Sequence, residues 1–420
     1  MRFLRAIISI SIIGIIPFAC YSRSGDFIDS LMAQMTLQEK IGQLNLPAGG
    51  DVVSGQVFET DIADLISTGR AGGFFNVKGV EKITEFQRLA VEKSRLGIPL
   101  LVGADVIHGY ETMFPIPIAL SCSWNPDAIE RMARISAIEA SADGVNWTFS
   151  PMVDICRDAR WGRIAEGSGE DPWLGSLMAA AYVRGYQGAD MNRDDEIMAC
   201  VKHFAAYGAP EAGRDYTAVD MSLPKLFNYY LPPYKAAVDA GVGSVMTSFN
   251  LLNGEHPTAS RWLLGDVLRK QWGFNGMIVT DYNSISDMAT LGLAEASEAA
   301  AMSLKAGTDM DMVSNTYLGT IADSYEKGLV TIAEIDSACR RVLEAKYRLG
   351  LFSDPYKYCK LQRAKTELYT DAHLKAAREI AAETFVLLKN DNNILPLQKK
   401  GKIALIGPLA DAGNNMCGMW

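Results

Sequence analysis

The sequence predicts an α/β chain built on a parallel sheet, and three observations carry that expectation. Strand and helix signals alternate from residue 26 to about residue 355, the pattern of repeated βαβ units. The strand signals are short continuous apolar runs, as strands buried on both faces require. Several runs stop abruptly at a charged or amide residue, and the strand C-terminal end is where α/β barrels carry their chemistry. The stretch is longer than the about 250 residues of a plain (β/α)8 barrel, within the range reached by insertions. An open doubly wound sheet is the alternative. It calls for a glycine-rich phosphate loop after a first strand, and no GxGxxG stands there.

In chain order, Thr36-Leu37-Gln38-Glu39 is a capping box that opens a helix carrying Ile41 and Leu44. Arg70 to Val77 reads as a loop and short strand. Val80 to Leu96 is an amphipathic helix stopped by Gly97, and Ile98 to Ala104 is a strand ending at Asp105. Asn125-Pro126 starts a helix that runs to Gly144. Trp147 to Val153 is a strand ending at Asp154, and Ile197 to Val201 one ending at Lys202 and His203. Gly243 to Ser248 is a strand ending near Phe249 and Asn250, and Gly276 to Thr280 one ending at Asp281. Ala306 to Met312, with Asp309 and Asp311, is a weaker strand signal. Thr331 to Glu334 is a second capping box, opening a helix that reaches about Leu349. Pro355 to Thr370 lacks periodicity and reads as a linker. Asp371 caps a helix to about Glu383, Thr384 to Lys389 is strand-like, and Lys402 to Ile406 reads as the first strand of another domain. A strand and its loop cannot bury a core, so this end is expected to be the opening of an incomplete domain.

The 420 residues are 49% hydrophobic, which suits a large core. Net charge is −9 with no basic patch, which argues against nucleic acid and favours a neutral or weakly polar substrate. Arg2 and Arg5 precede an apolar run from Ile7 to Ile16 that is too short to span a membrane, so residues 1–20 read as an export signal. Ala19 before Cys20 resembles a lipoprotein cleavage site and offers a lipid anchor at Cys20. The other six cysteines, Cys122, Cys156, Cys200, Cys339, Cys359 and Cys417, show no CxxC or Cys/His spacing, and no metal site or cofactor is expected.

Successive strand ends thus offer Asp105, Asp154, Lys202-His203, Asn250 and Asp281. A strand-end Asp is ordinarily a helix cap, and a lone buried His a satisfied core residue. Adjacent Lys and His after a buried strand are not explained by capping, because buried Lys is rare unless paired or in a site. Arg157 to Asp171, dense in Arg, acids and Gly with one Trp, reads as an ordered binding loop. Within it Arg163 is the candidate for reaching a substrate, while Arg157, Asp158 and Arg160 suit internal ion pairs. Acids, cationic donors and aromatics without a metal suit sugar hydrolysis: acceptors and donors grip hydroxyls, and one carboxylate attacks the anomeric carbon.

Five stretches carry a resemblance. Gly103-Ala104-Asp105-Val106-Ile107-His108-Gly109, Ser150-Pro151-Met152-Val153-Asp154, Arg157 through Asp171, Lys202-His203-Phe204-Ala205-Ala206-Tyr207-Gly208 and Gly273 through Asp281 are similar to glycoside hydrolase family 3, of the bacterial periplasmic β-glucosidase type. The resemblance implies a TIM-like barrel (26–355), a linker (356–393) and the incomplete start of an α/β sandwich domain (394–420). It implies an exported, periplasmic enzyme that removes terminal β-glucosyl residues from oligosaccharides or glycosides by a retaining double displacement. Asp281 matches the nucleophile, and Asp105, Arg163, Lys202 and His203 match the sugar-binding positions. Asp105 would favour gluco-configured sugars, and Lys202 and His203 would donate to ring hydroxyls. Tyr282 stands where the family often has Trp, and Phe249 where it often has Tyr. Between Phe204 and Ser222 no His stands, which disfavours the N-acetylglucosaminidase subgroup. The β-glucosidase branch takes its acid/base Glu from the second domain, and the chain is expected to stop before it. A β-xylosidase specificity and an inactive sugar-binding fragment are the alternatives.

Overall fold

The computed structural model of the chain describes residues 18–49 and 61–413, with side chains from Gly25 onward. Residues 1–17 of the expected export signal, the Cys20 side chain and Cys417 lie outside the described residues. Eight short strands follow in chain order. They are β1 (Asn45–Leu46), β2 (Gly73–Phe75), β3 (Leu101–Ala104), β4 (Trp147–Thr148), β5 (Met198–Phe204), β6 (Ser244–Thr247), β7 (Met277–Val279) and β8 (Asp311–Met312). β2 to β7 pair in sequence, β1 pairs with β8, and every pairing is parallel. Parallel bridges Ala48–Phe75 and Val279–Met310 join the two groups, so the eight strands run around a closed circuit. Helices fill the connections, which makes the architecture a (β/α)8 barrel rather than an open sheet.

Strand residues are buried because the barrel interior lies on one side and the helices on the other. Inside, Phe149 meets Phe75 edge-on at 5.7 Å and Trp147 at 4.9 Å. The Trp147 indole N–H donates to Ser244 Oγ at 2.8 Å, which satisfies its one polar atom. Outside, helix Pro126–Ala142 packs on helix Pro172–Gln187. Gly185 permits that approach, since a Cβ there would lie 2.5 Å from the Glu130 carbonyl oxygen. Both predicted capping boxes form: the Thr36 and Thr331 hydroxyls each accept the N–H of the Glu three residues on, and each Thr backbone N–H donates to that Glu carboxylate.

The elements differ from expectation in four places. β1 gave no sequence signal, because two residues between a helix and a proline are too few to show a period. β5 continues through Lys202 and His203, so these two stand within a strand and not beyond it. Helix Leu361–Glu367 forms inside the stretch read as a linker, held by Arg363 Nη2 to Ser141 Oγ at 3.0 Å and Lys360 to Asp194 at 2.7 Å. The strand-like runs 384–389 and 402–406 form no strand. Phe385, Leu388 and Ile406 are 82%, 92% and 89% exposed, and no described segment offers them the paired edge that a strand needs.

Two polar groups deep in the frame are architectural. Asp309 is fully buried between Arg269 at 2.9 Å and Arg341 at 2.7 Å, and accepts from the Ile278 N–H. Lys346 is 0% exposed with its ammonium bonded to Gln43 Oε1, and burial holds it down to about 7. Gln43→Leu is expected to cost about 1–3 kcal/mol by leaving that group without its acceptor, whereas Gln43→Leu with Lys346→Met should restore the parent's stability. The unfolded chain binds this proton more tightly, so parental stability gains from it as pH rises from about 7 to about 10.4. Urea denaturation across that window should show the gain in the parent and its loss in the double variant.

Candidate active site

Asp105 follows β3, Lys202 and His203 lie on β5, and Asp281 follows β7 by two residues, which gathers all four at the C-terminal ends of the strands. Neighbouring strand residues normally point to opposite faces. Here the pairing of β5 with β6 shifts register between Val201 and Phe204, the peptide between Lys202 and His203 is cis, and both side chains reach the same cluster. The fifth residue, Arg163, comes from the turn Gly162–Glu166 in the loop after β4.

The contacts form an ion pair, Lys202 with Asp105, beside a network centred on His203, and both bear electrostatically on Asp281. Lys202 Nζ donates to Asp105 Oδ1 at 2.6 Å. Arg163 reaches Glu166 with two N–H groups, at 2.8 and 3.0 Å, and His203 Nε2 with Nη2 at 3.0 Å. His203 Nε2 is also 3.4 Å from Asp281 Oδ2. On its other side His203 Nδ1 lies 2.8 Å from Asp154 Oδ2, and Tyr234 Oη lies 2.6 Å from Asp154 Oδ1. Asp281 Oδ1 accepts the Tyr282 N–H at 2.7 Å, whereas Oδ2 is buried and accepts no hydrogen bond among the described residues.

Burial dominates the electrostatics. It pushes Asp281 up to about 7, against the pull of the Arg163 and Lys202 charges and the Tyr282 N–H. It holds His203 well below the usual imidazole range, helped by the same two cations, so His203 is neutral. Burial also opposes the Arg163 charge, but Glu166 and then Asp281 hold it well above its ordinary value. Each cation is thus balanced by its own carboxylate, Arg163 by Glu166 and Lys202 by Asp105. That leaves Asp281 as a carboxylate poised near neutrality.

Aromatic rings wall the cluster. Tyr207 stands edge-on to His203 at 5.1 Å and under the Arg163 guanidinium at 5.4 Å, with Phe249 at 5.6 Å. Tyr216 packs on Phe249 at 5.1 Å yet is 63% exposed. Trp161 is buried and its indole N–H donates to Asp215 Oδ1 at 2.8 Å, which ties the loop after β4 to the loop after β5. Gly208 lets these loops close, because a Cβ there would sit 2.5 Å from the Ile155 carbonyl oxygen. Arg160 and Asp158 pair with each other at 2.6 Å, as internal ion pairs of that loop should.

The five sequence candidates, Asp105, Arg163, Lys202, His203 and Asp281, therefore stand in one cluster. Asp154 is fully buried beneath it, and among the described residues Asn250 donates to the Leu251 carbonyl alone. Glu166 was legible only as part of an acid-rich loop. Tyr234, on helix Pro232–Asp239, and Tyr207 gave no signal of their own, since a tyrosine at helical or loop spacing is ordinary core. Among the described residues no group of three His, Cys, Asp or Glu side chains is placed to hold a metal ion.

Residues 36–345 match the Glycosyl hydrolase family 3 N terminal domain, and residues 385–420 match the family's C-terminal domain. A periplasmic beta-glucosidase of Salmonella typhimurium is 44% identical over 94% of this chain and 52% of its own length. A beta-xylosidase of Formosa agariphila is 40% identical over 79% of this chain and 49% of its own length. The crystal structure of a beta-glucosidase from Listeria innocua, in complex with isofagomine, superposes with a TM-score of 0.88 at 41% identity, covering 91% of this chain and 54% of that one. The chain spans about half the length of the relatives it matches. The chain belongs to glycoside hydrolase family 3.

Proposed function

We propose that the chain carries the sugar-binding and nucleophilic half of an exported, retaining β-glucosidase. The uncommitted oxygen of Asp281 supports this most directly: Oδ2 is buried, free of hydrogen bonds among the described residues, and set among groups that suit a sugar. Oδ2 forms a bond to the anomeric carbon as the bond to the leaving oxygen breaks, giving a glycosyl ester. Water then attacks that carbon and Asp281 departs, so two inversions give net retention. Asp105, Lys202 and Arg163 offer acceptor and donors for hydroxyls. Their mutual neutralisation suits an uncharged sugar better than a phosphorylated or acidic one.

The leaving oxygen needs a proton from a second carboxyl group. Glu166 and Asp105 are already ion-paired within the cluster, so that proton is assigned to a group outside it, in the C-terminal domain as the resemblance implies. Activated leaving groups bypass the requirement. Relatives named for β-glucosidase and β-xylosidase activity both lie close, and the ratio of kcat/KM on nitrophenyl β-glucoside and β-xyloside decides between the two sugars. Proton NMR of the first-formed sugar tests the mechanism. The β-anomer is expected, and initial release of the α-anomer would overturn the reading.

A further inference from the structure

His203 is held by two contacts that each determine its proton. One oxygen, Asp154 Oδ2, receives both the backbone N–H of His203 at 2.9 Å and its ring Nδ1 at 2.8 Å. A backbone N–H only donates, so Oδ2 is an acceptor and Nδ1 bears the proton. On the far side Nε2 faces Arg163 Nη2 at 3.0 Å, and a guanidinium has no lone pair to offer. Nε2 must therefore present its own, which leaves His203 no N–H for the ring hydroxyls that the resemblance assigns it. The ring is 1% exposed, and Asp281 Oδ2, 3.4 Å from Nε2, receives no hydrogen bond from it.

Tyr234 completes the arrangement. Its hydroxyl is 2.6 Å from Asp154 Oδ1 and 2.6 Å from the carbonyl oxygen of His203 itself, which ties carboxylate and strand together. The hydroxyl has one proton and serves one of these at a time. Burial raises Asp154 to about 6, opposed by Tyr234, the His203 N–H and the Arg163 charge and assisted by Glu166. When Asp154 takes up a proton on Oδ1, it donates to Tyr234, and Tyr234 turns to the carbonyl. Oδ2 remains an acceptor in both states.

We infer that Asp154 and Tyr234 are positioning residues that lock His203 as the neutral Nδ1–H tautomer, so that its Nε2 holds the Arg163 guanidinium against Asp281. The inference rests on reading Asp281 as the nucleophile, but its test does not depend on turnover. Nitrogen-15 NMR of the full chain labelled at histidine reads the tautomer, with His203→Gln identifying the resonances. A protonated Nδ1 and unprotonated Nε2, unchanged between about pH 5 and pH 8, are expected. An Nε2–H tautomer or an imidazolium in that range would overturn the assignment.

Asp154→Asn gives the second arm. Its carbonyl oxygen can replace Oδ2, and its amide can donate to Tyr234. The tautomer should persist and kcat/KM on an activated aryl glucoside should stay within about threefold of the parent. Asp154→Leu should lose the tautomer signature, cut kcat/KM about 10- to 100-fold and move its acid limb to higher pH as Arg163 drifts from Asp281. An Asn variant with the proton on Nε2, or a folded Leu variant with an unchanged tautomer, contradicts the inference. The expected tautomer in a chain that forms no glycosyl ester would leave it standing and overturn the reading of Asp281 instead.

Discussion

Asp281→Asn is expected to remove glycosyl transfer and, above about pH 7, to make the barrel more stable. The amide keeps the shape of the carboxylate and can still accept the Tyr282 N–H, but it cannot form the ester. A loss of about four decades in kcat, or about 5.4 kcal/mol at 1.36 kcal/mol per decade, is the expected scale. The stability gain follows from burial. Asp281 titrates at about 7 in the folded chain, above its ordinary value. A raised carboxyl contributes stability that is fully present below the unfolded value of about 3.9 and is lost as pH rises through about 7. At about pH 8 the parent holds a buried charge that the amide lacks, and the variant should be more stable by about 1–4 kcal/mol. Urea denaturation should show this difference shrinking toward about pH 4. A variant with residual turnover near the parent's would remove Asp281 from the reaction, and a variant less stable at about pH 8 would refute the account of its burial.

Arg163→Met has the second-largest expected effect, and it acts on both stability and rate. Glu166 is 5% exposed and Arg163 is its ion-pair partner. Removing the guanidinium takes the ion-pair partner from a buried charge, at about 3–5 kcal/mol. It also removes the first of the charges that oppose the rise of Asp281. The acid limb of kcat/KM should therefore move above about 7, because Asp281 must be ionised to attack. Glu166→Gln in the same chain separates the two effects. It should recover most of the stability and none of the rate, a coupling that additive contributions would not give. Equal stability of Arg163→Met and the parent would show that Glu166 is not the buried partner the ion pair makes it.

The candidate site residues were legible because they break local rules. A carboxylate that ends an apolar strand, or Lys beside His in a buried run, conflicts with burial unless something is bound there, and Asp105, Lys202, His203 and Asp281 all carry that conflict. Arg163 needed the longer pattern of its loop. The residues that hold them were not legible. Tyr234 looks like core, and its role exists only because helix Pro232–Asp239 packs behind β5. The register shift and the cis peptide at Lys202-His203 belong to the folded strand and its pairing with β6, which no single strand's sequence contains. β1 and β8 are two residues each and give no period, although they close the barrel. The run from Phe385 to Leu388 shows the converse, for it has strand composition and, among the described residues, no strand to pair with.

Trapping the glycosyl ester tests the central claim most directly. A 2-deoxy-2-fluoro-β-glucoside with a dinitrophenolate leaving group slows both displacements through the fluorine, since the transition state carries oxocarbenium character. The leaving group restores only the first and needs no acid to depart. The account predicts a stoichiometric burst of dinitrophenolate and a glycosyl ester on the peptide that contains Asp281. Label on any other carboxylate, or release of dinitrophenolate with no label on the chain, would contradict it.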